Sequence, residues 1–132
     1  MKANIVLDKS FTFAVRIVKL SQFLQNDKHE YILSKQILRS GTSVGALVRE
    51  AQHAESSKDF VHKLNIALKE ANETDYWLAL LKEGNHINDK EFISIKPDVE
   101  ELLKLLVSII KSTKSNNTLS EEYAGYETNS QL

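Results

Sequence analysis

The chain has 132 residues, with 17 Lys+Arg against 18 Asp+Glu, no cysteine, one proline and four glycines. That length suits one domain with a real core, and the lack of cysteine excludes a disulfide scaffold and any cysteine-ligated zinc or iron–sulfur site. With 42% hydrophobic and 27% charged residues the composition is that of an ordinary soluble chain, and a net charge of −1 gives no global sign of nucleic-acid binding.

Four helical patterns succeed one another, and nothing reads as a strand. Ser10 is a candidate N-cap for the first, in which Phe13, Ile17, Leu20 and Leu24 recur at helical spacing until Asn26-Asp27. The second runs from about Tyr31 to Ala54, with Leu33, Ile37, Gly41, Val44, Val48 and Ala51 on one face. Ser56 and Ser57 offer caps for the third, whose stripe is Phe60, Leu64, Ala67, Ala71, Leu78 and Leu81, and Gly84 is the expected C′ stop. Asn88 and Glu91 form a capping-box signature before a short helical segment. Pro97 is expected in the first turn of a last helix carrying Val99, Leu102, Leu103, Leu106, Ile109 and Ile110. In that reading Asp98, Glu100 and Glu101 oppose its dipole at the start and Lys111 and Lys114 at the end.

Short connections make sequential helices antiparallel neighbours, so the expected fold is all-α, an up-down antiparallel four-helix bundle over residues 1–114. Residues 115–132 are polar and aperiodic and read as a flexible tail. No apolar run approaches the roughly 18 residues of a membrane span. Met1–Lys9 also lacks a signal-peptide h-region, so the expected location is the cytoplasm, with no membrane partner.

Two helices are more apolar than a lone bundle needs. Nine of fourteen residues from Phe11 to Leu24 are apolar, as are seven of nine from Leu102 to Ile110. The third helix adds a second stripe of Ile66, Trp77 and Leu80, about 100° from its core stripe. A small bundle exposes some apolar surface in any case, but patches of this extent favour a homo-oligomer. The candidate subunit contacts are Trp77, Leu80, Leu102, Leu105 and Ile109.

Little in the chain argues for an enzyme. Gly41 and Gly45 match neither phosphate-loop spacing and follow no strand, so close helix–helix approach explains them better. Glu50 with His53 and Asp59 with His62 are acid-x-x-His pairs, but helix 1 has no acid between Ser10 and Asn26 to complete a di-metal carboxylate set. Ser40 and Ser43 have no base placed by spacing to activate them. No metal or cofactor is expected, and a metal-dependent enzyme would need bound metal in the purified protein.

The basic residues are better organised. Lys35, Arg39, Thr42, Ala46, Arg49 and His53 are spaced by fours and threes, opposite the apolar face of helix 2. Lys58, His62, Asn65 and Lys69 form a comparable stripe on helix 3, and Arg16 and Lys19 a pair on helix 1. Residues 1–69 hold 11 basic and 6 acidic side chains (+5), and residues 70–132 hold 6 and 12 (−6). Such a surface can track a phosphate backbone. It can equally be a solvated face with pairs such as Asp59–Lys63, which composition alone favours.

The segment KQILRSGTSVGALVREAQHAESSKDF (35–60), continued by HKLNIALKEANETDYWLALL (62–81), resembles the bacterial family of 23S rRNA intervening-sequence proteins, some of whose members are labelled ribosomal proteins. The likeness covers about residues 8–114. Arg39, Ser40, Ser43, Gly45, Arg49, Glu50 and Ala51 match the family pattern on helix 2, and Lys69, Glu70, Glu73, Tyr76, Trp77 and Leu78 that on helix 3. Leu47 departs from it, standing where the family usually has Asn. The resemblance implies an up-down bundle in a pentameric ring. Related proteins include the accessory subunit of diversity-generating retroelements, a basic pentamer that binds a reverse transcriptase and nucleic acid. By that resemblance the chain is a ring-like, non-enzymatic adaptor that contacts structured RNA or a nucleic-acid enzyme, and the basic stripes of helices 2 and 3 make Lys35, Arg39, Arg49 and Lys69 the expected phosphate contacts. The rival reading is a protein-interaction scaffold with no nucleic-acid contact.

Overall fold

The computed structural model describes the backbone of residues 2–130 and the side chains of residues 5–117. It contains four helices, α1 (Lys2–Asn26), α2 (Leu33–Ala51), α3 (Ser57–Glu83) and α4 (Asp89–Ser130), and no strand among the described residues. No helix is long and apolar enough to cross a membrane among those residues. Contacts between helices fix an up-down arrangement, because residue numbers rise along one partner as they fall along the other. Ser10 meets Gly45 while Ile17 meets Gly41. Glu50 pairs with Lys63 while Ser40 meets Thr74. Lys82 pairs with Asp89 while Asp75 pairs with Lys96, and Lys9 reaches Glu101 while Arg16 reaches Ser94. Each helix therefore packs against two neighbours around one core.

The core follows the heptad-like stripes. Phe13, Ile17 and Leu24 meet Ile37, Val44 and Val48, with Leu64, Leu78 and Leu81 from α3 and Val99, Leu102 and Leu106 from α4. The two interior glycines of α2 serve α1. A Cβ on Gly41 would stand 2.8 Å from two carbons of Ile17, and one on Gly45 would stand 3.2 Å from the backbone oxygen of Ser10. Small residues let the two helix backbones approach closely, and this contact fixes the rotation of α2 about its own axis.

Several ends differ from the sequence expectation. α1 begins at Lys2 rather than at Ser10, which lies buried in mid-helix with its hydroxyl donating to the Leu7 carbonyl at 3.1 Å. Ser10 is small and polar because it sits beneath Gly45, where a bulky side chain does not fit; the same property imitates a cap in sequence. α2 is shorter than Tyr31–Ala54 and is capped from upstream. Glu30 Oε1 accepts from the Ser34 N–H at 2.7 Å and Oε2 from the Ile32 N–H at 3.2 Å. The Ser56 cap on α3 is present, its hydroxyl accepting from the Asp59 N–H at 3.0 Å.

At the end of α3 the left-handed residue is Asn85 (φ 63°), whereas Gly84 has φ −82°. The His86 N–H donates to the Leu81 carbonyl at 2.8 Å and the Asn85 N–H to Lys82 at 3.0 Å, so the C′ position of this Schellman turn belongs to Asn85. The Asn88–Glu91 capping box forms with both bonds at 2.8 Å, but it opens α4 itself. Pro97 is thus inside α4 rather than in a first turn. It is tolerated because it lies on the solvent face, where the carbonyl it cannot serve belongs to Ile93, 68% exposed. Asp98, Glu100 and Glu101 consequently lie mid-helix, and Asp89 and Glu91 occupy the first turn. The segment expected to be a tail continues α4 as far as Ser130, with its side chains beyond residue 117 outside the described set.

Gly41→Ala is expected to lower stability by about 1–3 kcal/mol, because β-branched Ile17 cannot yield and overpacking outweighs the gain in helix propensity. Chemical denaturation of the double-mutant cycle with Ile17→Ala checks it. The alanine at 41 should cost clearly less once Ile17 is truncated, and equal cost in both backgrounds would contradict this packing.

Candidate nucleic-acid interface

Because α2 turns Gly41, Val44 and Val48 inward, its opposite ridge is forced into solvent. Lys35, Arg39, Ala46 and Arg49 are exposed there, Thr42 is half-buried, and His53, also exposed, lies past the end of α2 in the turn that leads to α3. From Lys35 to Arg49 the ridge runs about 21 Å along the helix axis. On the neighbouring antiparallel helix Lys58, His62 and Lys69 are exposed beside it. Among the described residues, Lys35, Arg39, Arg49 and Lys69 form no ion pair.

The other cations are differently placed. Arg16 donates to Asp98 Oδ2 at 2.6 Å, to the Ser94 carbonyl at 3.0 Å and to the Ser94 hydroxyl at 2.8 Å, clamping α1 to α4. Lys9 pairs with Glu101 at 2.8 Å, and Lys96 bridges Asp75 and Glu100. Such exposed pairs contribute little stability, but they neutralise charge locally. Two of these pairs, Lys9–Glu101 and Arg16–Asp98, set base of the first half against acid of the second, while Lys35, Arg39, Arg49 and Lys69 of α2 and α3 stay outside the ion pairs among the described residues.

One acidic feature adjoins the ridge. Glu70 lies beside Glu73 and near Arg39, and Glu70 Oε2 is buried without a partner among the described residues. Burial, then the charge of Glu73, push the Glu70 carboxyl above its usual range against the pull of Arg39. Below it, Thr74 Oγ1 lies 2.8 Å from Ser40 Oγ and 2.8 Å from the Glu70 carbonyl, a buried hydroxyl pair tying α2 to α3. Ser40 is thereby structural, and Ser43 donates to the Arg39 carbonyl at 2.6 Å.

The candidate subunit contacts divide. Trp77 and Leu105 are half-buried and Leu80 is exposed, whereas Leu102 (1%) and Ile109 (6%) are buried within this chain's own core. The apolar run of α4 reads as surplus in sequence because it feeds both a core face and flanking contacts. Trp77 packs edge-on against exposed Tyr76 with ring centres 5.2 Å apart, and its Nε1 is buried without an acceptor among the described residues. Glu50 and Asp59, from the acid-x-x-His pairs, are used structurally. Glu50 meets Lys63 at 3.5 Å, and Asp59 accepts from the Glu55 N–H at 3.1 Å. Spacing does not single out the Glu70–Glu73 pair; two acids three apart beside a basic stripe are its only signal in sequence.

Comparison with known proteins adds a family and a fold neighbour. The family model described as 23S rRNA-intervening sequence protein matches residues 2–108. A crystal structure from Bacteroides thetaiotaomicron VPI-5482, a protein with unknown function from the S23 ribosomal protein family, is 59% identical. It superposes with a TM-score of 0.83, over 84% of this chain and 99% of that one. No curated protein matches the chain.

With its folded-state pKa raised, Glu70 holds a proton that the unfolded chain releases nearer the usual value of 4.5. Stability should therefore fall as pH rises from that value through the elevated titration. Glu70→Gln is expected to flatten this part of the profile and to be the more stable form at neutral pH in thermal melts. Identical profiles would contradict the assignment.

Proposed function

This chain belongs to the 23S rRNA-intervening sequence protein family, and from that premise we propose that it is a non-enzymatic, self-assembling bundle that binds structured RNA in the cytoplasm. The observation that carries the reading is the ridge of Lys35, Arg39 and Arg49 along α2, exposed and free of ion pairs among the described residues, with Lys69 beside it on α3. Arg39 lies in the field of the Glu70 carboxyl without an ion pair to it, and Lys35, Arg49 and Lys69 have no carboxylate partner among the described residues; cations so placed are the groups that phosphates recruit, and releasing counterions makes such binding salt-dependent. Local charge decides this rather than the net value of −1, because 12 of the 18 acids lie in residues 70–132.

Self-assembly is supported by apolar surface beyond the core. Trp77 with its unpartnered Nε1, Tyr76 and Leu80 (36% exposed) form one patch on α3, and Leu105 adds half-buried surface on α4. Aromatic residues in such patches are the usual anchors of interfaces. We propose a closed ring of five copies. The near-neutral total charge favours a second reading, a scaffold that binds only proteins.

Fluorescence anisotropy with a structured RNA hairpin over a salt series separates the two. The wild-type chain should show a steep dependence on salt, and the Arg39→Ala/Arg49→Ala double variant should lose about two units of slope. Salt-independent binding, or a double variant that binds like wild type, would sink the phosphate mechanism. For assembly, light scattering should give about five times the 15.0 kDa protomer mass, and Leu80→Glu should dissociate it. A wild-type monomer at micromolar concentration would rule the ring out.

A further inference from the structure

We propose that the open depression bounded by α1, α2, the α2–α3 connection and the first turns of α3 is a stacking site for an unpaired nucleobase, whose neighbouring phosphate sits on Arg49. The inference rests on the RNA-binding reading and narrows it to single-stranded segments. The depression has a volume of about 990 Å³ and a floor of small residues, Thr42, Gly45 and Ala46. Phe11 stands at its wall, 58% exposed on a helix that had buried positions to offer. The Arg49 guanidinium lies over the Phe11 ring, 6.0 Å from its centre, and no carboxylate claims it among the described residues.

These features fit one ligand chemistry. A floor without long side chains lets a flat ring come close to the helix, and an exposed phenyl face gives it a stacking partner. The adjoining cation supplies what a nucleotide needs and an apolar peptide does not. Covering Arg49 with an apolar segment would strand its charge, whereas a phosphate brings the counter-charge with it. Three acids line the depression: Glu50 is paired with Lys63, Asp59 accepts from the Glu55 N–H, and the Glu55 side chain stands exposed at the rim opposite the cations Arg49 and Lys63. A duplex keeps its bases inside, so only a splayed, single-stranded base can reach Phe11. From Arg49 the same ridge leads about 15 Å to Arg39, so a strand leaving the depression meets the next cation along α2.

Anisotropy titrations of a short labelled oligoadenylate and of an RNA duplex of equal length test the site, using Phe11→Ala, Phe11→Leu, Phe11→Tyr and Arg49→Gln. Phe11 is largely exposed, so these variants should fold, with circular dichroism as the check. Phe11→Ala and Phe11→Leu are expected to weaken single-strand binding about 5- to 100-fold with the salt slope unchanged, while Phe11→Tyr retains it. Arg49→Gln should lower both affinity and slope, the latter by somewhat less than one unit. Duplex binding should be indifferent to Phe11. If Phe11→Leu binds the single strand like wild type, the stacking site is wrong while the phosphate ridge stands. Equal losses for strand and duplex would also overturn stacking, and so would a changed particle mass for Phe11→Ala in light scattering. If the wild-type chain binds neither RNA, both this inference and the broader reading fail.

Discussion

Where α1 and α2 cross they come so close that a carbon added at Gly41 would collide with the Ile17 side chain and one added at Gly45 would press tightly on the Ser10 backbone. The tightness is paid for in helix propensity, about 1 kcal/mol for each glycine. What it fixes is orientation. With Ile17 seated on Gly41 and the Ser10 backbone on Gly45, α2 cannot rotate, and Val44 and Val48 must face the core. Lys35, Arg39 and Arg49 then have only the solvent side left. A packing constraint in the interior thus determines which charges the exterior displays, and it also builds the small-residue floor beneath Phe11.

Charge is the second organising feature. Arg16 and Lys9 of α1 lie against Asp98 and Glu101 of α4, and Lys96 of α4 against Asp75 of α3. These pairs close the seams between helices and engage three of the acids away from the α2 ridge. A chain of nearly zero net charge can therefore present a positive side, because the cancellation is spatially uneven. Acids also adjoin the ridge at both ends: Glu50, Glu55 and Asp59 line the depression beside Arg49, and Glu70 and Glu73 stand near Arg39, with Glu70 Oε2 buried and unpartnered among the described residues.

The helices and their buried stripes were legible in the sequence because hydrophobic periodicity reports burial directly. Phe13, Ile17, Ile37, Val44, Leu64, Leu78, Val99 and Leu106 all lie where spacing puts them. The glycine pair was legible as close packing for the same reason that it was illegible as a phosphate loop, since no strand precedes it. Ends were harder. Ser10 has the chemistry of a cap but the position of a packing residue, and Pro97 breaks helices only when the carbonyl it abandons is buried. Asn85 takes the left-handed turn beside a glycine that does not need it. At the candidate site the exposure of the α2 cations followed from their spacing. Their lack of partners did not, because Arg16 and Asp98 are far apart in the chain and only the fold brings them together. The assignment of Leu102 and Ile109 to a subunit contact shows the complementary gap: an apolar count cannot separate residues that fill a core from residues that remain beside it.

If RNA meets this protein along the outward ridge of α2, the contact should be visible chemically. Ultraviolet crosslinking of the full chain to a structured RNA, with the modified peptides mapped by mass spectrometry, tests that contact most directly. Nucleotide adducts are expected on peptides carrying Lys35, Arg39 and Arg49, and none on the α4 segment around Lys104 and Lys111. Adducts confined to α4, or spread evenly over all four helices, would contradict an RNA-binding ridge on α2.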